Sequence, residues 1–253
     1  MKKFSIIVPT FNEADNLKEL LPLLLWADEL IVVDSFSTDN SVEIANQFGA
    51  RVIQREYLNS ASQKNWAIPQ ASNEWIFLVD ADERPSAELL SEIKKILEQP
   101  EKPGDPVAYW IGRDNFFLGK QIRFSGWQND AVIRLFKRDN CKYAEKEVHS
   151  EIIAEGTVGK LKERLLHYTY KNMSHFLAKM ERYAKWSAGD YDAKTGKIGW
   201  FHLYLKPAFR FFKHYILKQG FRDGKEGIII SKVMAWSVFL RYVNLLEKRK
   251  KGK

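Results

Sequence analysis

Apolar positions along the first hundred residues alternate between two periodicities. Phe4–Val8 is a short, largely apolar run that stops at Pro9 and reads as a buried strand. After a polar turn, Leu17, Leu20, Leu21, Leu24 and Leu25 recur at helical spacing. Leu30–Val33 predicts a second strand, and Val42, Ile44, Ala45 and Phe48 a helix that Gly49 ends. Arg51–Gln54 gives a third strand, about Ser60 to Ala71 a mixed helix, and Trp75–Val79 a fourth strand. Strands alternating with helices and apolar on both faces predict an α/β domain built on a parallel sheet covered on both sides.

The rhythm changes after a helix expected over Ser86–Leu97. Glu98 to Pro106, with three prolines and a glycine, reads as a loop. Val107–Arg113, Val132–Lys137 and Val148–Ile153 then read as strands between irregular, aromatic-rich segments. From Met173 onward the pattern is almost wholly helical. The expected organisation is one domain over 1–170, with a regular α/β part in 1–100 and a more mixed part in 101–170, followed by a basic helical extension over 171–253.

Charge sharpens that division. Residues 1–159 hold 18 Lys+Arg and 25 Asp+Glu, a balance of −7, whereas 160–253 hold 22 and 7, a balance of +15; together they give the net +8. Such polarity points to a polyanionic partner, nucleic acid or anionic lipid. No helix-turn-helix, ribonucleoprotein or zinc-finger pattern is present and the acidic half would repel a phosphate backbone, so a nucleic-acid partner is not expected. The single cysteine, Cys141, excludes an intrachain disulfide and suggests a reducing, cytosolic location. The first apolar run is too short for a signal peptide. The longest charge-free runs, such as Leu20–Ala27 and Val233–Leu240, fall short of the ~20 apolar residues that cross a bilayer, so a protein lying on a membrane rather than spanning it is expected.

Ligands of open parallel sheets bind beyond the carboxyl ends of the strands, where strand order switches. Three predicted strands end in polar or acidic residues: Pro9-Thr10-Phe11-Asn12-Glu13, Asp34, and Asp80-Ala81-Asp82. Asn12, Asp39 and Asn40 serve equally well as helix caps. Asp80 and Asp82, two apart in extended backbone, point to one side, where their repulsion calls for a cation or a proton. Magnesium or manganese suits such carboxylates and completes its shell with phosphate oxygens and water, which implies a nucleoside diphosphate. No Gly-x-Gly-x-x-Gly, Walker loop, Gly-x-Ser-x-Gly or His-Glu-x-x-His occurs, which weakens dinucleotide, P-loop and simple hydrolase readings. A nucleotidyltransferase that makes sugar nucleotides would need a Gly-rich loop after the first strand, where Pro9–Glu13 stands.

Four ordered segments resemble the inverting glycosyltransferases of family 2: Ile7–Glu13, Val32–Ser41, Gln63-Lys64-Asn65 and Leu78–Glu83. A weaker match continues through Trp127–Phe136 and Val148-His149-Ser150-Glu151. The chain also resembles lipopolysaccharide core β-glucosyltransferases, which share a tail like Gln219–Gly227. The resemblance implies a Rossmann-like GT-A fold with a mixed, mainly parallel sheet, and transfer of a hexose, expected to be glucose, from a UDP-sugar to a lipid-linked glycan. It also implies that Pro9, Thr10, Phe11, Asn12, Glu13 and Asp34 hold the nucleoside, Asp34 by accepting the uracil imide N–H. Asp39 lies near the ribose or caps a helix, and Lys64 approaches the diphosphate. Asp82 ligates Mn2+ or Mg2+, Asp80 binds ribose or shares the metal through water, and His149 is a further metal or diphosphate ligand. Asp130 is the first choice of base, against a plain ion pair with Arg134, and Glu151 the second. Ser35 and Phe36 stand where the family usually has Asp and Gly, which touches base recognition.

In the tail, Pro207 sits where a helix can start. Lys206, Arg210 and Lys213 share one face, and Leu205, Phe209, Phe212 and Ile216 another. Such a helix either lies in the interface of an anionic membrane or packs on the rest of the protein. The location expected is peripheral, on the cytoplasmic face of the membrane.

Overall fold

The parallel sheet begins with β1 (Phe4–Thr10), followed by α1 (Ala14–Leu20), β2 (Glu29–Asp34), α2 (Ser41–Gln47), β3 (Arg51–Gln54), α3 (Ser60–Ala67) and β4 (Trp75–Leu78). In this computed structural model residues 2–144, 151–170 and 172–251 are described. The chain continues through β5 (Glu83–Pro85), α4 (Ala87–Glu98), β6 (Ala108–Phe117), β7 (Lys120–Gln121), β8 (Ala131–Lys137), β9 (Cys141–Tyr143), β10 (Ile152–Ala154) and β11 (Val158–Tyr170). The helices α5 (Met173–Asp192), α6 (Lys206–Phe212) and α7 (Lys225–Lys251) complete it. It forms two units, Met1–Asp114 with Asn129–His167, and Asn115–Gln128 with Tyr168–Lys253.

In the first unit β1 pairs in parallel with β2 and β4, and β2 with β3. Strand order runs β3-β2-β1-β4-β8-β6-β11-β5, so the sheet is mixed, and its direction of winding reverses between β1 and β4. A crevice opens at such a reversal. Burial of both faces follows the alternation along β1: Phe4, Ile6 and Val8 join one cluster with Leu17, Leu20 and Leu89, and Ile7 joins the other with Ile31, Ile76 and Leu78. Helix α4 presents Leu89, Ile93 and Leu97 at four-residue spacing to the first cluster, and Ser86 caps it by accepting from the Leu89 N–H at 3.2 Å. Each such side chain contributes about 1.5–3 kcal/mol through burial.

Four strands, β5, β7, β9 and β11, have no counterpart in the sequence expectation. β5 is only three residues long and follows a turn, and β11 carries Lys160, Lys162, Glu163 and Arg164 among its apolar positions, which hides a 13-residue strand from a periodicity reading. Of the expected strand 148–153, β10 covers the end, and 148–150 lie outside the described residues.

The second unit is mainly helical and takes in the segment 115–128 together with Tyr168–Lys253. Its core holds Phe117, Ile122, Phe176, Met180, Ile230 and Val233. Phe117 meets Trp127, Tyr170 and Phe176 edge-on, with centroids 6.2, 6.1 and 5.2 Å away. The tail segment explains why 115–128 belongs here. Asp223, 3% exposed, accepts from the Arg123 and Phe124 N–H groups (3.0 and 3.1 Å) and from the Ser125 hydroxyl (2.7 Å). A Cβ at Gly227 would collide with the Gly220 carbonyl oxygen, so this turn closes only with glycine there. Helix α7 has 27 residues and is long and apolar enough to cross a membrane, contrary to the expectation from charge-free runs. Only Lys232 and Arg241 interrupt Gly227–Asn244. A third of its most apolar stretch is buried inside the protein.

Candidate active site

The carboxyl end of β4 delivers Asp80 into a buried ladder of alternating charge. The Lys64 ammonium lies 2.8 Å from Asp80, and Arg134 of β8 binds its other oxygen. Arg134 also donates to Glu83 at 3.0 and 2.8 Å, and to the Tyr143 hydroxyl at 3.3 Å. Arg113 of β6 reaches Glu83 at 3.4 Å and grips Asp130 with two bonds of 3.0 and 2.9 Å. Glu83 is fully buried and Lys64 and Arg134 nearly so. Burial alone would favour the neutral forms of Asp80 and Lys64. Arg134 and Lys64 outweigh it at Asp80 and hold that carboxyl far below the usual range, and the same pairing raises the pKa of Lys64 and Arg134 against the effect of burial.

Both oxygens of Asp80 are therefore engaged by protein cations. Asp80 and Asp82 thus face different partners. Lys64, expected at the diphosphate, instead has its ammonium on Asp80, with the Tyr143 ring 5.3 Å away. Asp82 faces another partner: its carboxylate lies 3.5 Å from Nε2 of His167. His167 reaches it because β11 pairs antiparallel with β5, placing His167 opposite Glu83. Adjacent ligands with bonds of about 2.1 Å stand roughly 3 Å apart, so this oxygen and nitrogen fit one divalent ion. Among the described residues no group of three His, Cys, Asp or Glu gathers, so diphosphate oxygens and water would have to fill the remaining positions. His149 lies outside the described residues.

The ends of β1 and β2 form the other wall. Asp34, expected at the base, is fully buried; its carboxylate accepts from the Ser37 N–H (3.0 Å), the Ser37 hydroxyl and the Gln54 amide (2.9 Å). It orders the turn rather than facing outward. Ser35, in place of the usual acidic residue, accepts from Gln63 at 2.6 Å. Asn12, with φ 54°, ties the two loops together: its side-chain oxygen accepts from the Thr38 N–H, and its own N–H donates to Ser37. Asp39 accepts from the Ala14 N–H and from both the N–H and the hydroxyl of Ser41, a capping role. Glu13 donates its N–H to Ser41 and accepts from Asn16. Thr10 is buried and Pro9 half-buried, whereas Phe11 and Phe36 project outward, each 55% exposed. Phe36 holds φ 60°, a conformation that costs a side chain about 1–2 kcal/mol.

Asp130 is paired, but with Arg113 rather than Arg134. Glu151 is exposed at the edge of the β9–β10 hairpin, where its carbonyl accepts from Ala144 at 2.9 Å. Sequence reasoning assigned no role to Arg113, Glu83, Tyr143 or His167. Glu83 lies in the Leu78–Glu83 segment, but nothing in the spacing announces that two arginines from other strands meet it. His167 sits on the strand that periodicity missed.

The arrangement offers an anchored carboxylate after β4, a metal-compatible Asp–His pair at the β5–β11 pairing and outward aromatics after β1 and β2. Similarity to known proteins agrees with it. An uncharacterized glycosyltransferase of Rickettsia felis is 29% identical over 100% of this chain and 93% of its own length. The lipopolysaccharide core biosynthesis glycosyltransferase LpsC of Rhizobium meliloti is 26% identical over 96% of this chain and 92% of its own. Among solved structures, the mannosyltransferase PcManGT of Pyrobaculum calidifontis, in complex with GDP-Man and Mn2+, superposes with a TM-score of 0.56 at 17% identity, covering 98% of this chain and 88% of that one. Its likeness supports the GT-A fold. The family described as glycosyl transferase family 2 matches residues 5–153, more than half of the chain. The chain belongs to glycosyltransferase family 2, and the protein is a glycosyltransferase.

Proposed function

We propose that the enzyme transfers a hexose, glucose by preference, from a UDP-sugar to a lipid-linked glycan of the lipopolysaccharide core type, with inversion, at the cytoplasmic face of a membrane. The observation that carries the reading is the Asp82–His167 pair beside the Asp80–Asp130 charge ladder. The likeness to LpsC, a lipopolysaccharide core biosynthesis glycosyltransferase, supports an acceptor of that type. A solved structure of the Staphylococcus aureus enzyme TarS holds UDP, which supports a uridine donor. The Mn2+ of the mannosyltransferase supports a divalent ion.

A bound divalent ion, held by Asp82 and His167, would offset charge on the departing diphosphate. Asp130 takes the proton from the acceptor hydroxyl as its oxygen bonds to the anomeric carbon and the carbon–oxygen bond to the diphosphate breaks on the opposite side. Arg113 fixes the orientation of that carboxylate through its two hydrogen bonds. Phe11 and Phe36 offer faces to the base, and the buried Asp34 holds Phe36 in place through Ser37. The exposed aromatics and cations around α6 support attachment to the membrane surface.

A thermal-shift panel of nucleotide sugars with and without Mn2+ tests the donor; selective, Mn2+-dependent stabilisation by one UDP-hexose is expected, and preference for a guanosine donor would overturn it. Asp130→Asn should retain donor binding and lose transfer by about 10²–10⁴-fold. Activity within a few-fold of wild type would move the base elsewhere.

A further inference from the structure

A groove of the second unit lies between α6, its flanking turns and α7, with a volume of about 780 Å³. Its lining combines apolar walls, Phe201, Leu205, Phe209 and Val238 among them, with four cations, Lys206, Arg210, Lys213 and Arg241, and among the described residues includes no carboxylate. The neutral partners of these cations are in place. Lys206 donates to the Tyr242 hydroxyl at 2.7 Å; Arg241 donates to Ser187 at 2.8 Å and lies 4.3 Å from the Tyr191 ring centroid. Arg210 comes within 3.4 Å of the His214 ring nitrogen. Burial, and then the nearby charge of Arg241, lower the pKa of Arg210, the signature of a cation short of negative charge. The backbone on either side of α6, over Phe201–Leu205 and Lys213–Leu217, is widened into π-helical turns, a departure that clusters at functional sites.

From these observations we infer that the groove binds one phosphate-headed membrane lipid, its chain along Phe201, Leu205 and Phe209 and its phosphate between Arg210 and Arg241. An apolar trough with convergent cations matches that ligand in both halves. Charge complementarity selects the occupant. A second copy seated by two-fold symmetry would bring like charges together, and a zwitterionic headgroup would supply no net anion. A polyanion without apolar surface would leave Phe209, 61% exposed, and Phe201, 48% exposed, uncovered. The inference rests on the second unit alone and is independent of the transfer reaction.

The test uses the full chain and dioctanoyl phosphatidic acid below its micelle concentration, followed by titration calorimetry. Saturable binding of one lipid per chain is expected, with dioctanoyl glycerol and inorganic phosphate each at least about tenfold weaker. Arg210→Gln combined with Arg241→Gln should weaken the lipid by at least about tenfold, whereas Lys250→Gln with Lys251→Gln, the same loss of charge outside the groove, should change it less than about twofold. Phe209→Ser should weaken the lipid and leave inorganic phosphate unchanged. Unaltered melting temperatures establish that the variants fold. Equal weakening by the two charge pairs, inorganic phosphate binding as tightly as the lipid, displacement of the lipid by a short oligonucleotide, or dimerisation that closes the groove would each overturn the assignment.

Discussion

Arg134→Met tests how the buried charges beneath the active site are held. Methionine keeps the aliphatic bulk and removes the charge from a position 3% exposed. Glu83 then loses two bonds of 3.0 and 2.8 Å and keeps Arg113 at 3.4 Å, and Asp80 keeps Lys64 at 2.8 Å. Breaking a buried ion pair from one side costs about 3–5 kcal/mol, and because each carboxylate retains a second cation the lower end, about 3 kcal/mol, is expected. For a unit of this size that is a fall of about 6–12 °C in melting temperature. The sign of the pH dependence follows from Asp80. Its folded pKa is depressed, so its stabilisation is present above the unfolded value and lost as pH falls toward the folded one. Without Arg134 the folded state takes up protons more readily, so the deficit is largest near neutrality and shrinks as pH drops through about 4. Urea denaturation followed by circular dichroism at both pH values measures it. A deficit below about 1 kcal/mol at neutral pH, or one that grows toward acid, would refute the ladder as the element that holds the site.

Other predictions concern single groups. Asp82→Asn and His167→Ala should each abolish the extra stabilisation that Mn2+ adds to UDP binding while leaving metal-free UDP binding; retention of the Mn2+ increment in both would disprove their pairing at an ion. Phe36→Gly should relieve the left-handed backbone and raise stability by about 1 kcal/mol, yet weaken UDP by about five- to tenfold through loss of a stacking face. Calorimetry and melting curves would separate the two effects, and unchanged UDP affinity would rule out the stacking role. Burial raises the Cys141 thiol to about 11, so native protein should resist iodoacetamide at mildly alkaline pH and react only on unfolding; fast labelling of the folded chain would contradict that placement.

What the sequence could disclose depended on whether one strand or several carried the information. β1, β2 and β4 are apolar on both faces, so alternation and punctuation by Pro9, Asp34 and Asp80 placed them nearly residue by residue. The site's electrostatics come instead from pairings between strands distant in sequence. Asp130 meets Arg113 because β6 lies beside β8, and Asp82 meets His167 because β11 lies beside β5. Neither register is encoded in a local period. Asp34 shows the reverse limit: a motif located the residue, but only its surroundings reveal that both carboxylate oxygens are spent on Ser37 and Gln54.

The Asp223 turn has a consequence for how this chain can be recombined. Its carboxylate closes onto Arg123, Phe124 and Ser125, and the Lys120 ammonium donates to its carbonyl at 2.6 Å. A tail exchanged between relatives as a cassette starting near residue 170 would arrive without the hundred-residue-distant loop that it clasps. Chimeras should therefore assemble only when 115–128 travels with the graft, and drift in either piece must be matched by its distant counterpart.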